Sequence, residues 1–239
     1  MIKTTSIAAI AGLQLFLCGI MLAQSVTPST KKIPIFFSPD TLNFNEILSA
    51  PPDPNSDAGR RDRDELLRIE RTRTQSEIQA AQQDDQEEDI FIFRDVVGPS
   101  FTPEKFPLMK AFSAHLKNDS EVVDPPLKHL FNRPRPYQAD LTQHPVCQLS
   151  KEPSYPSGHS MLGYLFGYVL AQMIPEKRDA ILKRADLYAY HRLVCGVHYP
   201  QDLEASRIAS SVLFGLISTN PAYRKEFDSA QQELRQQLQ

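Results

Sequence analysis

The stretch from His159 to Ile174 is apolar on nearly every side, with Met161, Leu165, Phe166, Val169, Leu170 and Met173 spread around a helical wheel. As a helix it would be roughly 24 Å long, short for a bilayer but well suited to the centre of a protein. A helix with no polar face has to be enclosed by other elements. The rest of the chain offers helical patterns for that purpose, at about Asp57–Gln83, Thr102–Leu116, Asp179–Tyr190, Gln201–Ser218 and Ala222–Gln239. Ile90–Phe93 is short enough to pass for a strand, but a Gly-Pro pair follows it, so it is read as helix or linker. Nine glycines and no tryptophan argue against a many-stranded sheet with tight hairpins. The expectation is an all-α fold, a single-domain helical bundle. The 239 residues suffice for one well-cored domain and are few for two.

Three segments divide the chain. Residues 1–23 carry Lys3, an apolar run from Ile7 to Leu22 and a small residue at Ala23, the layout of a cleaved signal peptide. An uncleaved anchor is the alternative, since a spanning helix needs roughly 17 to 25 residues. Residues 24–56, rich in Pro, Ser, Asn and Asp, read as an irregular N-terminal arm, and 57–239 as the helical domain. Export would give an oxidising environment, and the two cysteines beyond the signal, Cys147 and Cys195, are then candidates for a disulfide, with two buried thiols as the alternative. The acidic run Asp84–Asp89 reads as a solvated loop or helix end. A net charge of -3 gives no electrostatic case for nucleic acid.

Three short motifs carry the candidate chemistry. In the first, Lys128 is followed seven residues later by Arg135 and Pro136. Lysine supplies a point charge and arginine a planar fork, complementary ways to hold an oxyanion. Pro134 and Pro136 end the helix near Arg133, which competes with Arg135 for the second role. In the second, Pro156-Ser157-Gly158-His159 stands just before the apolar helix. A helix N-terminus offers free amides and the positive end of a dipole, Gly158 lets an anion approach, Ser157 adds a hydroxyl, and His159 reaches a departing group. In the third, Arg192 precedes His198 by six residues, and Asp202 follows four later. Pro200 suits a first helical position, so Asp202 in the first turn reaches back to His198 and leaves one ring nitrogen free as nucleophile or base.

In order and spacing these motifs resemble the three-part signature of the phosphatidic-acid-phosphatase type 2 superfamily, and within it the bacterial class A non-specific acid phosphatases. Leu149-Ser150-Lys151, Ile181-Leu182-Lys183-Arg184 and Thr219-Asn220-Pro221-Ala222 extend the likeness. The resemblance implies a secreted or periplasmic acid phosphatase acting on small phosphate monoesters such as nucleotides, sugar phosphates and aryl phosphates. It also implies a phosphohistidine on His198, with Asp202 orienting it and His159 as the acid. Lys128, Arg135, Ser157, Gly158 and Arg192 would bind phosphate, with no cofactor or metal, a homodimer as the assembly, and phosphotransfer as a side activity. No stable membrane anchor is expected after signal cleavage. One position departs from the pattern: His191 stands where the family has serine, either adding an imidazole near the site or facing away from it.

No His/Asp/Cys cluster has metal-ligand spacing in the sequence. A neutral His198 and a protonated His159 would give a bell-shaped, acidic to near-neutral pH profile. A vanadium-dependent haloperoxidase, a lipid phosphatase of the superfamily, which would usually carry several membrane spans, and a non-catalytic phosphate-binding protein are the rival readings.

Overall fold

A computed structural model describes residues 32–38, 41 and 43–238; the signal-like segment 1–23 lies outside them. The described residues form helices α1 (Phe44–Ile47), α2 (Asp57–Thr72), α3 (Gln75–Gln86), α4 (Arg94–Val97), α5 (Pro107–Phe131), α6 (Pro136–Ala139), α7 (Gly158–Met173), α8 (Arg178–Val194), α9 (Pro200–Ile217) and α10 (Pro221–Gln237), with no strand among them. None of these helices is long and apolar enough to cross a membrane.

The apolar run is α7, and it sits at the centre, packed by α8, α9 and α5. Glycines on one face bring α8 close. A Cβ on Gly163 would lie 2.5 Å from Tyr188 Cδ1, and one on Gly167 would lie 2.9 Å from Ala185 Cβ. Residues 158–173 therefore bury on several sides at once, which fixes α7 as the axis around which the motif-bearing ends of α5, α8 and α9 gather.

Two expected helices differ in extent. The pattern at Asp57–Gln83 is two helices, because Thr74 starts a new one: its hydroxyl accepts the Glu77 amide at 3.2 Å, and the Glu77 carboxylate takes the Thr74 amide at 2.7 Å. At the break Arg73 donates to the Val194 carbonyl at 2.6 Å, tying the corner to the end of α8. The helix expected to stop near Leu116 instead runs on to Phe131, since Val123 and Leu127, seven and eleven residues further, continue the same buried face. It ends where Asn132 takes a left-handed conformation with φ 45°. Within the extension, Asp119 accepts the amides of Ile35 (2.6 Å) and Phe36 (2.9 Å) and so anchors the N-terminal arm. Phe36 then packs edge-on against Tyr223, 5.6 Å between centroids.

Candidate active site

The ends of α5, α7, α8 and α9 frame a cavity of about 780 Å³ lined by Lys128, Arg135, Gly158, His159, Arg192 and His198, among others. The three motifs, spread over 75 residues of sequence, thus meet at one place. Hydrogen bonds between the motifs hold them in register. The Ser154 amide donates to the Arg133 carbonyl at 2.8 Å, linking the first motif to the approach of the second. Ser206 on α9 accepts the Ser157 amide at 2.8 Å and donates to the Asp202 carbonyl at 2.7 Å, linking the second to the third.

Of the two arginines that compete at the first motif, Arg135 faces the cavity. Its Nε donates to the Glu152 carbonyl at 2.8 Å and its Nη1 lies 3.2 Å from His198 Nε2. Arg133 turns the other way and donates to Asp202 Oδ1 and Asp62 Oδ2, both at 2.7 Å, stacked 4.0 Å above the Tyr199 ring. Lys128 is buried and donates to the carbonyls of Pro153, at 3.2 Å, and Pro156. Burial pulls its ammonium below the ordinary lysine range, partly offset by Asp124.

His198 is 2% exposed and Asp202 is fully buried. His198 Nδ1 lies 3.3 Å from Asp202 Oδ2, which also accepts the Tyr199 amide at 2.9 Å and the Ser154 hydroxyl. A guanidinium can only donate, so the Arg135 contact makes Nε2 an acceptor and leaves the proton on Nδ1, aimed at Asp202. Burial, with Arg135, Lys128 and Arg192 adding to it, pushes His198 well below the usual histidine range. With Nε2 turned to Arg135, the ring sits among the cations Arg135, Lys128 and Arg192.

At the second motif Ser157 caps α7. It is fully buried, accepts the Ser160 amide at 3.3 Å and the Ser160 hydroxyl at 2.9 Å, and does not line the cavity. Gly158 and His159 do. Burial and then Arg192 push His159 down to about 4, while Glu88, whose carboxylate lies 3.1 Å from Nε2, pulls upward. The ring is stacked on Tyr188.

The run Asp84–Asp89 is a helix end, as expected, but only partly solvated: Asp84 and Asp85 are buried, and Asp85, Gln86, Glu88 and Asp89 line the cavity. Asp85 accepts Arg192 Nη1 and the Gln148 amide at 3.0 Å, and Asp84 accepts Arg184 at 2.6 Å and His191 Nδ1 at 2.6 Å. Burial works against the charge on both carboxylates, and the cationic and hydrogen-bonding partners outweigh it. Consecutive acids on α3 thus clasp consecutive residues on α8, with Arg192 lining the cavity and His191 facing away from it. Arg192 Nε is buried with no hydrogen-bond partner among the described residues. Asp85, Glu88 and Asp124 line the cavity without having been anticipated as site residues. The signal available for the first two was that acids close to a buried core need partners.

Cys147 and Cys195 are joined, with an S–S distance of 2.04 Å. The bridge closes the loop that carries the second motif onto the end of α8, directly behind Arg192. Asp85 and the two cysteines are the His/Cys/Asp/Glu group among the described residues whose ligand atoms lie close together, and both sulfurs are spent in the disulfide.

Fold and site together define an all-helical domain in which Lys128, Arg135, Arg192 and the N-terminus of α7 surround a buried histidine. The PAP2 superfamily profile matches residues 110–226, just under half of the chain and a span holding all three motifs. It is similar to a non-specific acid phosphatase of Salmonella typhi, 27% identical over 92% of this chain and 91% of that one. A non-specific acid phosphatase of Providencia stuartii is 30% identical over 59% of each chain, so less than two thirds of that relative is spanned. Among solved structures, a transmembrane PAP2-type phosphatidylglycerolphosphate phosphatase of Bacillus subtilis shares the fold, with a TM-score of 0.52 at 17% identity, covering 70% of this chain and 87% of that one.

Proposed function

We propose that the chain is an acid phosphatase that hydrolyses phosphate monoesters without a metal, through a phosphohistidine on His198. The observation that carries this reading is the placement of His198, whose Nε2 lies 3.2 Å from Arg135 Nη1 and whose Nδ1 lies 3.3 Å from Asp202 Oδ2. The phosphoryl oxygens lie among Lys128, Arg135, Arg192 and the N-terminus of α7, where positive charge stabilises the transition state most. His198 Nε2 attacks phosphorus as the bond to the leaving oxygen breaks. Asp202 steadies the ring as it becomes positive.

His159 gives its proton to the leaving alcohol and later takes one from the water that cleaves the phosphorus–nitrogen bond. Its position suits this cycle. Burial and Arg192 hold it down to about 4, and a dianion bound among the same cations cancels much of that repulsion, so His159 gains its proton together with substrate. Glu88 at 3.1 Å steadies the charged ring. Relatives named acid phosphatases support the activity class. The Cys147–Cys195 bridge supports an oxidising location, periplasmic or secreted.

Hydrolysis of a panel of nucleotides, sugar phosphates and aryl phosphates, with chelator and with vanadate, tests the reading. Turnover that persists in chelator and is blocked by vanadate is expected. Bromide oxidation with added vanadate and no ester hydrolysis would assign a haloperoxidase instead, and phosphate binding without turnover a binding protein.

A further inference from the structure

Asp124 lies one helical turn before Lys128 on α5, and none of the steps above employs it. Its Oδ1 is 3.6 Å from Lys128 Nζ and is buried without a hydrogen-bond partner among the described residues. Its Oδ2 lies against Gly158, where a Cβ would come within 3.0 Å. The carboxyl group therefore stands between the Lys128 ammonium and the first residue of α7, the place where the cationic side chain and the helix N-terminus both favour an anion. A carboxylate there and a phosphate dianion beside it would repel each other. A carboxylic acid at the same spot removes that repulsion and supplies a donor for a phosphate oxygen.

We propose that Asp124 is a positioning residue of the phosphate seat, meeting the bound phosphate as a neutral acid that donates a hydrogen bond to one of its oxygens. Binding of a dianion then takes up one proton at Asp124. This rests on the acid phosphatase reading and deepens it: Asp124 couples phosphate affinity to acid pH. The charged and titratable groups around it are Lys128 and Glu121 on α5, Arg135 before α6, Glu152 before α7, and His159 on α7. Burial is the largest influence on the carboxyl and raises it above the usual range, with Lys128 opposing.

Sulfate tests this cleanly, because it remains a dianion across the working range and brings no titration of its own. Its inhibition constant against aryl phosphate hydrolysis is measured from acid to neutral pH in the wild type, Asp124→Asn, Asp124→Ala and Asp124→Ser. In the wild type the constant should rise with pH more steeply than in Asp124→Asn, by about tenfold per pH unit, the slope one linked proton gives. Asp124→Asn, which keeps a donor and cannot ionise, should bind sulfate more tightly than the wild type at neutral pH. Asp124→Ala should bind it about tenfold more weakly than Asp124→Asn. Asp124→Ser, a smaller donor, should side with Asp124→Asn. Equal slopes in the wild type and Asp124→Asn, or equal affinity in Asp124→Ala and Asp124→Asn, would overturn the role of Asp124 while leaving the enzyme a phosphatase. Absence of any phosphomonoester hydrolysis by the wild type would overturn the underlying reading instead.

Discussion

Arg135 Nη1 stands 3.2 Å from His198 Nε2, and since the arginine can only donate, that nitrogen holds a lone pair. Two residues away, Arg133 spends its charge on Asp202 and Asp62 at 2.7 Å each. The Arg-Pro-Arg-Pro sequence thus sends one guanidinium to the phosphate side of the histidine and the other to the carboxylate behind it.

The two arginines should separate experimentally. Arg135→Ala should weaken inhibition by inorganic phosphate about tenfold to a hundredfold, the worth of hydrogen bonds to a charged group, with little loss of stability. Arg133→Ala leaves two buried carboxylates without their cation and should cost about 3–5 kcal/mol of stability in urea unfolding. Its phosphate affinity should change far less. Loss of phosphate affinity in Arg133→Ala greater than in Arg135→Ala would reverse the assignment.

Glu88 should set the alkaline edge of activity. His159 must be protonated to donate, and among its neighbours Glu88 favours the protonated ring while burial and Arg192 disfavour it. Removing the carboxylate charge in Glu88→Gln lowers the histidine further, so the alkaline limb of the kcat profile should move to lower pH. The acid limb, governed by His198, should stay where it is. A limb that moves to higher pH would show that Glu88 does not act on His159 in this way.

The Cys147–Cys195 bridge spans 48 residues and encloses the whole second motif. Confining a loop of that length in the unfolded chain is worth roughly 4 kcal/mol. Reduction, or the Cys147→Ser/Cys195→Ser pair, should lower unfolding stability by about that amount. Mass spectrometry of the unreduced protein should find no alkylatable thiol at either position.

The central helix and the three motifs were legible in the sequence because both are local patterns: all-round apolarity at residues 159–174, and fixed spacings at Lys128/Arg135, Ser157–His159 and Arg192/His198/Asp202. The break at Thr74 was not, because a capping box inside a run of charged residues hardly changes its helical periodicity. The acidic wall was also hidden. Asp84 and Asp85 look like solvated residues until α3 packs against α8 and gives them Arg184, His191 and Arg192 as partners. Charge partners a hundred or more residues apart follow from tertiary packing alone. Ser157 was ambiguous at short range: its hydroxyl suits a phosphate or a cap equally well in the sequence, and in the fold it caps α7.

The most direct test of His198 as the nucleophile is trapping of the covalent intermediate. Enzyme mixed with phosphate-labelled aryl ester and quenched in alkali, where phosphohistidine survives, should carry label on the peptide containing His198. The label should appear before steady state and vanish in His198→Ala together with turnover. Continued hydrolysis by His198→Ala, or wild-type turnover with label on no histidine, would contradict the account.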